Sequence, residues 1–195
     1  MDEKRLVRAS VRAGRAAKRA HAGESARFTA RFTARLIELT EELGATRVSC
    51  FVSVGDEPDT SGYLAWALEH GVEVLLPRVL PGGELEWAAH SPGALSPGAF
   101  GIPEPTGDAS GAGAASSTEL MLIPAAAVDR LGTRLGWGRG FFDRELARLP
   151  ARGAGERPAV FAVVYEDEVL ARIPAEAHDV PVDGAVTEER IHSFG

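Results

Sequence analysis

The chain has 195 residues, 45% of them hydrophobic and 25% charged, and is therefore long and apolar enough to bury a substantial core without disulfides. No apolar run is long enough to span a bilayer, and the charged N-terminus lacks the apolar segment of a signal peptide. We therefore expect one cytoplasmic domain over residues 1–195, and a buried rather than nucleophilic thiol at Cys50, which lies in an apolar run.

The net charge of −7 is unevenly distributed. Residues 1–21 hold seven Lys and Arg against two acids, a local charge of +5, so the remainder carries −12. A basic arm on an acidic body favours local binding of an anion over general nucleic-acid binding, which needs a wider basic face.

The first predicted element is a helix over Glu3–Ala20. Lys4 and Arg8 lie four residues apart and share one face, and Arg12 and Arg15 continue the same stripe. Such a stripe is typical both of a solvated basic helix and of cations directed at phosphates, and the spacing leaves the two interpretations open.

An amphipathic helix follows, with apolar residues at steps of three and four from Phe28 to Leu43. Residues Arg47–Val54 then predict a buried strand that ends in a polar loop. Glu57 in this loop would lie at the carboxyl end of a strand, where it is a candidate acceptor for N–H donors of a substrate. Alternatively, the acids of this loop, Asp59 among them, only favour the N-terminus of the next helix.

The remaining pattern alternates a helix at Ser61–His70 with apolar strands. The strands are predicted at Val72–Val79, Leu85–Ala89, Leu120–Pro124, Ala159–Tyr165 and Ala185–Thr187. This order predicts an α/β fold with a largely parallel sheet and helices on both faces. The Gly/Ala/Ser-rich stretch 107–117 predicts a flexible loop.

The stretch Arg134–Arg144 carries the most chemical information. Glycines at 136, 138 and 140 lie between the apolar strand and a helix predicted over Phe141–Leu149. A glycine-rich loop before a helix suits anions, and Arg134 and Arg139 would supply countercharge. Asp143 and Asp179 are candidates to hold a magnesium ion. Alternating glycines also occur in ordinary turns, so they alone leave a structural role open.

With these residues in place, the chain resembles the 5-formyltetrahydrofolate cyclo-ligases, also called methenyltetrahydrofolate synthetases. Residues Pro124–Arg144 are similar to the family signature Pro-Gly-x-x-Phe-Asp followed by Gly-x-Arg-Leu-Gly-x-Gly-x-Gly-Tyr-Tyr-Asp. Lys4 and Arg8 resemble its N-terminal Lys-x-x-x-Arg, and Glu57–Thr60 resembles its Glu-x-x-Thr.

The resemblance implies a three-layer α/β/α fold, similar to glucosamine-6-phosphate isomerases and CoA transferases. It also implies a reaction that depends on ATP and Mg²⁺ and converts 5-formyltetrahydrofolate to 5,10-methenyltetrahydrofolate, with release of ADP and phosphate. A phosphorylated N-formyl group is the implied intermediate.

The resemblance further assigns roles to individual residues. Catalytic roles fall to Lys4, Arg134 and Arg139. ATP would be bound by Lys4, Arg8, Arg134, Leu135, Gly136, Trp137, Gly138, Arg139, Gly140, Phe141 and Phe142. The folate would be bound by Val52, Glu57, Trp137, Gly138, Arg139, Gly140 and Phe141. Magnesium would be held by Asp143 and Asp179.

Three departures from the family pattern stand in this stretch. Residues 124–129, Pro-Ala-Ala-Ala-Val-Asp, are smaller than the usual ones, which affects packing more than chemistry. Phe141 and Phe142 occupy positions where tyrosines are usual, so ring packing is retained and two hydroxyls are lost. Arg139 stands where glycine or lysine is usual.

The expected partners are ATP and 5-formyltetrahydrofolate, with no nucleic acid and no membrane, in a monomer or weak homodimer. Three other interpretations compete: a sugar-phosphate isomerase or acyl-CoA enzyme of similar fold, a non-catalytic folate- or nucleotide-binding homologue, and nucleic-acid binding through the basic helix. The last lacks an aromatic-basic platform. ATP-dependent turnover of 5-formyltetrahydrofolate distinguishes the cyclo-ligase from all three.

Overall fold

A computed structural model describes residues 2–20, 22–98, 101–111, 113–150, 157–176 and 179–194. The helices of this part are α1 Glu3–Ala20, α2 Ala22–Glu42, α3 Ser61–Glu69 and α4 Phe141–Leu146. The strands are β1 Arg47–Ser49, β2 Glu73–Val79, β3 Leu85–Ala89, β4 Leu95–Pro97, β5 Pro103–Pro105, β6 Ala109–Gly111, β7 Leu120–Pro124, β8 Ala127–Asp129, β9 Arg134–Leu135, β10 Ala159–Val163, β11 Val169–Leu170, β12 Gly184–Val186 and β13 Ile191–Ser193. None of these helices has both the length and the apolarity to cross a membrane.

The main sheet has the strand order β13-β12-β10-β7-β1-β2-β3-β6. Its five central strands, from β12 to β2, run parallel, whereas β13, β3 and β6 are antiparallel to their neighbours. The prediction of an α/β protein with a mostly parallel sheet is therefore confirmed. The antiparallel edge at β3 follows from a tight turn at residues 80–84, because a short hairpin can join only antiparallel strands.

Helices cover the two faces of this sheet unequally. On one face α2 and α3 pack Phe32, Leu36 and Tyr63 onto the apolar residues of the central strands. On the other face the short helix α4 contributes Leu146, and a 3₁₀ turn at Ala114–Ser117 contributes Ala115. The strand residues are buried on both sides, as expected for parallel strands with near-continuous apolar sequence.

A second, three-stranded sheet of order β11-β8-β9 carries the N-terminal helix. The α1 residue Val11 packs there against Ala127, Leu135 and Ile173. This small sheet interrupts the direct passage from β7 to the glycine loop that the sequence suggested. Asp129 stabilises this small sheet. Its fully buried carboxylate accepts hydrogen bonds from three backbone N–H groups, those of Leu131, Thr133 and Ile173.

Several predicted boundaries were wrong. The strand predicted over Arg47–Val54 ends at Ser49, because the carbonyl of Phe51 accepts a bond from the Thr60 hydroxyl instead of pairing in the sheet. The helix predicted to Leu149 ends at Leu146. Within the stretch 107–117, residues 109–111 pair with β3 and a 3₁₀ turn follows, while the flexibility of the stretch stays a prediction.

Helix α1 is fixed to the body of the protein by a buried ion pair. Arg15 donates from Nε and Nη2 to the two carboxylate oxygens of Glu168, both at 2.7 Å, and from Nη2 to the carbonyl of Ala125 at 2.9 Å. The two side chains are 2% and 4% exposed. Burial raises the pKa of Glu168, while the guanidinium of Arg15 opposes that rise.

Replacing Arg15 by methionine should strongly destabilise the protein, because it strands a buried carboxylate at Glu168. We expect a loss of about 3–5 kcal/mol in the free energy of unfolding. The matched variant Lys18→Met, on the same helix, removes a pair with the 63% exposed Asp167 and should cost under about 1 kcal/mol.

Urea denaturation of both variants at several pH values measures this difference. Burial raises the pKa of Glu168 and Arg15 opposes that rise, so the pKa should be raised further in Arg15→Met. Protonation of Glu168 then stabilises the folded variant more than the folded wild type, and the deficit should shrink as the pH falls. Equal losses in the two variants would show that the Arg15 pair does not anchor the helix.

Candidate active site

A cleft of about 480 Å³ opens at the carboxyl ends of β1, β2 and β7. It gathers ten of the residues that the sequence assigned to a site, from two distant parts of the chain. These are Val52, Glu57, Arg134, Gly136, Trp137, Arg139, Gly140, Phe141, Phe142 and Asp143. The position agrees with the rule that open α/β sheets bind ligands beyond the carboxyl ends of their strands.

The glycine loop runs from β9 to α4 along one wall of the cleft. Gly138 has φ +93° and Gly140 has φ +69°, conformations that side chains with a Cβ rarely adopt. Arg8 of α1 donates from Nε to the carbonyl of Gly136 at 2.8 Å and so ties the helix to the loop. Because α4 has only six residues, the arginines rather than a helix dipole supply most of the positive charge here.

Trp137 lies between this loop and helix α1. The guanidinium carbons of Arg12 and Arg15 lie 5.3 and 5.0 Å from the centre of its ring, within the range of cation–π contacts. Its indole N–H is buried and has no hydrogen-bond partner among the described residues. The ring therefore holds two cations of α1 against the wall of the cleft.

Arg134 and Asp143 form an ion pair at the floor of the cleft. The Arg134 side chain is 4% exposed and also donates to the carbonyl of Pro124. Burial lowers the pKa of Arg134, and the charges of Asp143 and Asp179 oppose this effect. Both carboxylates predicted to hold magnesium therefore act on one guanidinium.

Lys4 lies beside the cleft, at the start of α1. Its Nζ is 2.8 Å from Glu176 and 3.3 Å from the carboxylate of Asp179. Burial alone would lower the pKa of Lys4, but the bonds to the two acids outweigh it and the pKa is raised. His178, next to Asp179, lies outside the described residues.

The remaining predicted site residues do not line the cleft with their side chains. Leu135 is buried in the core beneath α1, so only its backbone is available to a ligand. Arg8, Gly138, Lys4 and Asp179 are not part of the cleft lining.

In the loop after β1, the sequence left two roles open for the acids: binding a substrate, or favouring the N-terminus of the next helix. The structure assigns a different role to each of two acids. Asp59 accepts a bond from the backbone N–H of Ser61 at 2.9 Å, at the start of α3, and so serves the helix. Glu57 lines the cleft and accepts one bond from the N–H of Val54 at 3.0 Å. Burial raises the pKa of Glu57, and that bond and the charge of Arg15 oppose the rise.

An apolar wall of the cleft was missed from the sequence. It is formed by Phe51, Val54, Pro77, Val79, Leu85, Ile102 and Pro103. The hairpin β4–β5 folds over β2 and contributes Ile102 and Pro103 to this wall. Its Glu104 accepts a hydrogen bond from the N–H of Val79 in β2 at 3.1 Å. No local sequence pattern predicts that this hairpin packs over β2. By contrast, the cleft residues Arg12 and Arg15 were signalled by the basic stripe of α1.

Two further observations concern the single thiol and a metal site built from protein side chains alone. The Cys50 thiol is fully buried, and burial raises its pKa to about 12, so the prediction of an inert thiol is confirmed. Among the described residues no group of three or more His, Cys, Asp or Glu side chains could hold a metal ion by itself.

Comparison with known proteins identifies the family to which this chain belongs. The model of the 5-formyltetrahydrofolate cyclo-ligase family matches residues 1–188. The 5-formyltetrahydrofolate cyclo-ligase of Mycolicibacterium smegmatis is 38% identical over 157 residues, which cover 76% of this chain and 77% of that protein. The chain belongs to the 5-formyltetrahydrofolate cyclo-ligase family. The resemblance drawn from the sequence is confirmed, and with it the assignment to the ATP-using ligases of folate metabolism.

Further similarities agree with this assignment. The 5-formyltetrahydrofolate cyclo-ligase of Escherichia coli K12 is 28% identical over 150 residues, which cover 75% of this chain and 80% of that protein. The NMR structure of Aquifex aeolicus 5,10-methenyltetrahydrofolate synthetase superposes with a TM-score of 0.79 at 29% identity, covering 98% of this chain and 92% of that one.

The left-handed conformation of Gly140 can be tested directly. Gly140→Ala should destabilise the protein by about 1–2 kcal/mol, because a Cβ is strained at this φ. Gly107→Ala is a matched control, since its φ is not in that region and its new Cβ would lie 3.6 Å from the nearest atom. Urea denaturation compares the two, and equal stability would refute the loop conformation described here.

Proposed function

We propose that this cleft binds ATP and 5-formyltetrahydrofolate together and converts the folate to 5,10-methenyltetrahydrofolate, with release of ADP and phosphate. One observation carries the proposal: in a member of the cyclo-ligase family, the cations of α1 and β9 converge on a glycine loop at a cleft that also contains the half-buried acceptor Glu57. One part of the cleft thus suits phosphates, and another suits the N–H groups of a pterin.

The reaction needs alignment and charge stabilisation rather than a protein nucleophile. A formyl group on nitrogen is a poor electrophile because amide resonance occupies its carbon. When its oxygen attacks the γ-phosphorus of ATP, the bond to the bridging oxygen breaks and ADP departs with that electron pair. N10 of the folate then attacks the activated carbon and loses its proton, and phosphate leaves with the formyl oxygen. Positioning and electrostatics supply catalysis of this kind.

The ATP phosphates would be bound by Lys4, Arg8 and Arg134 and by the backbone of residues 136–141. In the structure Lys4 is paired with Asp179 and Arg134 with Asp143. Phosphate oxygens would take over these cations, and charge-assisted bonds from arginine to phosphate are strong. Arg139, exposed at the rim of the cleft, is the third proposed catalytic cation.

The same exchange would free Asp143 and Asp179 for Mg²⁺. The charges of both carboxylates act on Arg134, which supports assigning them to one ion. Two carboxylates completed by phosphate oxygens and water suit this ion, which rarely uses a cage made only of protein groups. Bound there, Mg²⁺ would neutralise charge on the phosphates.

The folate would bind along the rest of the cleft. Glu57 would accept hydrogen bonds from the pterin, beside Val52, while Trp137 and Phe141 would border the ring system. Phe142 lines the cleft and packs edge-to-face on Trp87 at 6.5 Å, so its ring is held without a hydroxyl.

We also infer the three-layer arrangement shared with glucosamine-6-phosphate isomerases and CoA transferases, a monomer or weak homodimer, and a cytoplasmic location. Coverage of both sheet faces by helices supports the first of these.

The proposal predicts an ATP-dependent rise in methenyltetrahydrofolate absorbance when the protein is mixed with 5-formyltetrahydrofolate and magnesium. Arg134→Ala should lower both turnover and ATP affinity, because the guanidinium is replaced by a methyl group at the floor of the cleft. Arg130→Ala, at a nearby exposed position, is the matched control and should behave as the wild type.

Folded protein that binds ATP without an absorbance rise would favour a non-catalytic homologue. Unchanged ATP affinity and turnover in Arg134→Ala would refute the phosphate assignment.

Folate affinity should depend on pH through Glu57. As the pH falls through its raised pKa, the carboxylate is protonated, loses its charge and keeps only one oxygen free to accept. The Kd for the folate should therefore begin to rise at a higher pH than it would for an ordinary carboxyl group. Glu57→Gln should bind more weakly at neutral pH and lack this pH dependence, whereas Glu69→Gln, exposed on α3, should retain it. Calorimetric titration measures all three, and an unaltered profile in Glu57→Gln would contradict the assignment.

A further inference from the structure

Arg12 is a cation in the cleft to which the preceding scheme gives no role. It lies on the exposed face of α1, and its side chain reaches the cleft beside the ring of Trp137. Among the described residues no carboxylate pairs with it and no backbone carbonyl accepts from it. Its five N–H donors are therefore available to a ligand.

The other cations of the same stripe are already engaged. Arg8 donates to the carbonyl of Gly136, Arg15 is bound to Glu168, and Lys4 lies against two acids. Arg134, facing them from β9, is paired with Asp143. An unpaired guanidinium in a row of paired ones indicates that its partner arrives with the substrate.

The position of Arg12 along the helix specifies which part of the substrates it meets. One turn before it, roughly 6 Å along the axis, Arg8 contacts the glycine loop, where the phosphates are proposed to bind. About one turn after it, Arg15 lies close enough to Glu57 for its charge to act on that carboxyl group. Arg12 thus lies between the phosphate region and the pterin acceptor.

We propose that Arg12 binds the γ-phosphoryl group while it passes from ATP to the formyl oxygen of the folate. This inference rests on the proposed function. In that step the bond between γ-phosphorus and the formyl oxygen forms, the bond to the bridging oxygen breaks, and ADP keeps the electron pair. The negative charge on the three equatorial oxygens is what Arg12 would neutralise.

The chemistry of an arginine on an indole ring suits this task. A planar guanidinium can donate two parallel bonds to phosphate oxygens, which a lysine ammonium cannot reproduce. The Trp137 ring, 5.3 Å from the guanidinium carbon, would hold it in place without using any of its donors. Arginines that meet a transferring phosphoryl group typically contribute a factor of about 10³–10⁵ to kcat.

The test compares Arg12→Gln, Arg12→Lys and the matched control Arg5→Gln, which removes one positive charge from an exposed position of the same helix outside the cleft. Steady-state assays give kcat and KM for each substrate, and calorimetry gives the affinities for ATP, ADP and 5-formyltetrahydrofolate. Denaturation midpoints establish that each variant is folded.

We expect Arg12→Gln to lower kcat by at least about 10²-fold and to weaken ATP binding, with ADP and folate affinities unchanged. Arg12→Lys should recover part of the loss, and Arg5→Gln should match the wild type. Weakened folate binding at an unchanged kcat would overturn the proposal and assign Arg12 to a carboxylate of the folate. Equal weakening of ATP and ADP would overturn it in favour of the inner phosphates.

Normal kcat and affinities in Arg12→Gln would overturn it outright while leaving the proposed function intact. If the wild type itself does not turn over, the proposed function fails, and the difference between ATP and ADP affinities still decides whether Arg12 recognises a γ-phosphate.

Discussion

The site depends on one buried contact, the two-point pairing of Arg15 with Glu168. Val11 is the one apolar side chain of α1 that is buried, against the small sheet, so apolar burial alone holds the helix weakly. The buried pair fixes its rotation and height against the body of the protein. The positions of the other α1 cations depend on that contact, both Arg8 on the glycine loop beside the cleft and Arg12 over Trp137 within it.

A second constraint is the pairing of opposite charges within the site. Lys4 lies against Asp179, and Arg134 lies against Asp143, so the groups proposed for phosphate and for magnesium neutralise one another. A nucleotide and its metal bring the same two kinds of charge in the opposite arrangement. In the proposed complex, binding would exchange these partners without leaving a charge unpaired in the cleft, which would be costly.

The sequence was informative wherever the signal was local. The 3.6-residue period located α1 to α3, the apolar runs located the central strands, and alternating glycines marked a loop that two positive φ angles confirm. The predictions failed at boundaries, as at the strand after Arg47 and the helix after Phe141, because side-chain and tertiary hydrogen bonds end those elements. The basic stripe signalled Arg12 and Arg15, whereas nothing local signalled the wall built by the β4–β5 hairpin.

The sequence by itself therefore determined the fold class, the family and the chemical types of the site residues. These follow from residue identity and short-range spacing, which constrain backbone conformation and charge directly. The tertiary structure alone decided which acid meets which cation, that Glu57 rather than Asp59 faces the cleft, and that Arg12 lies between the phosphate and pterin regions. The contacts of α1 with Gly136 and Glu168 join residues more than a hundred positions apart, and only the packing of α1, the small sheet and the main sheet brings them together.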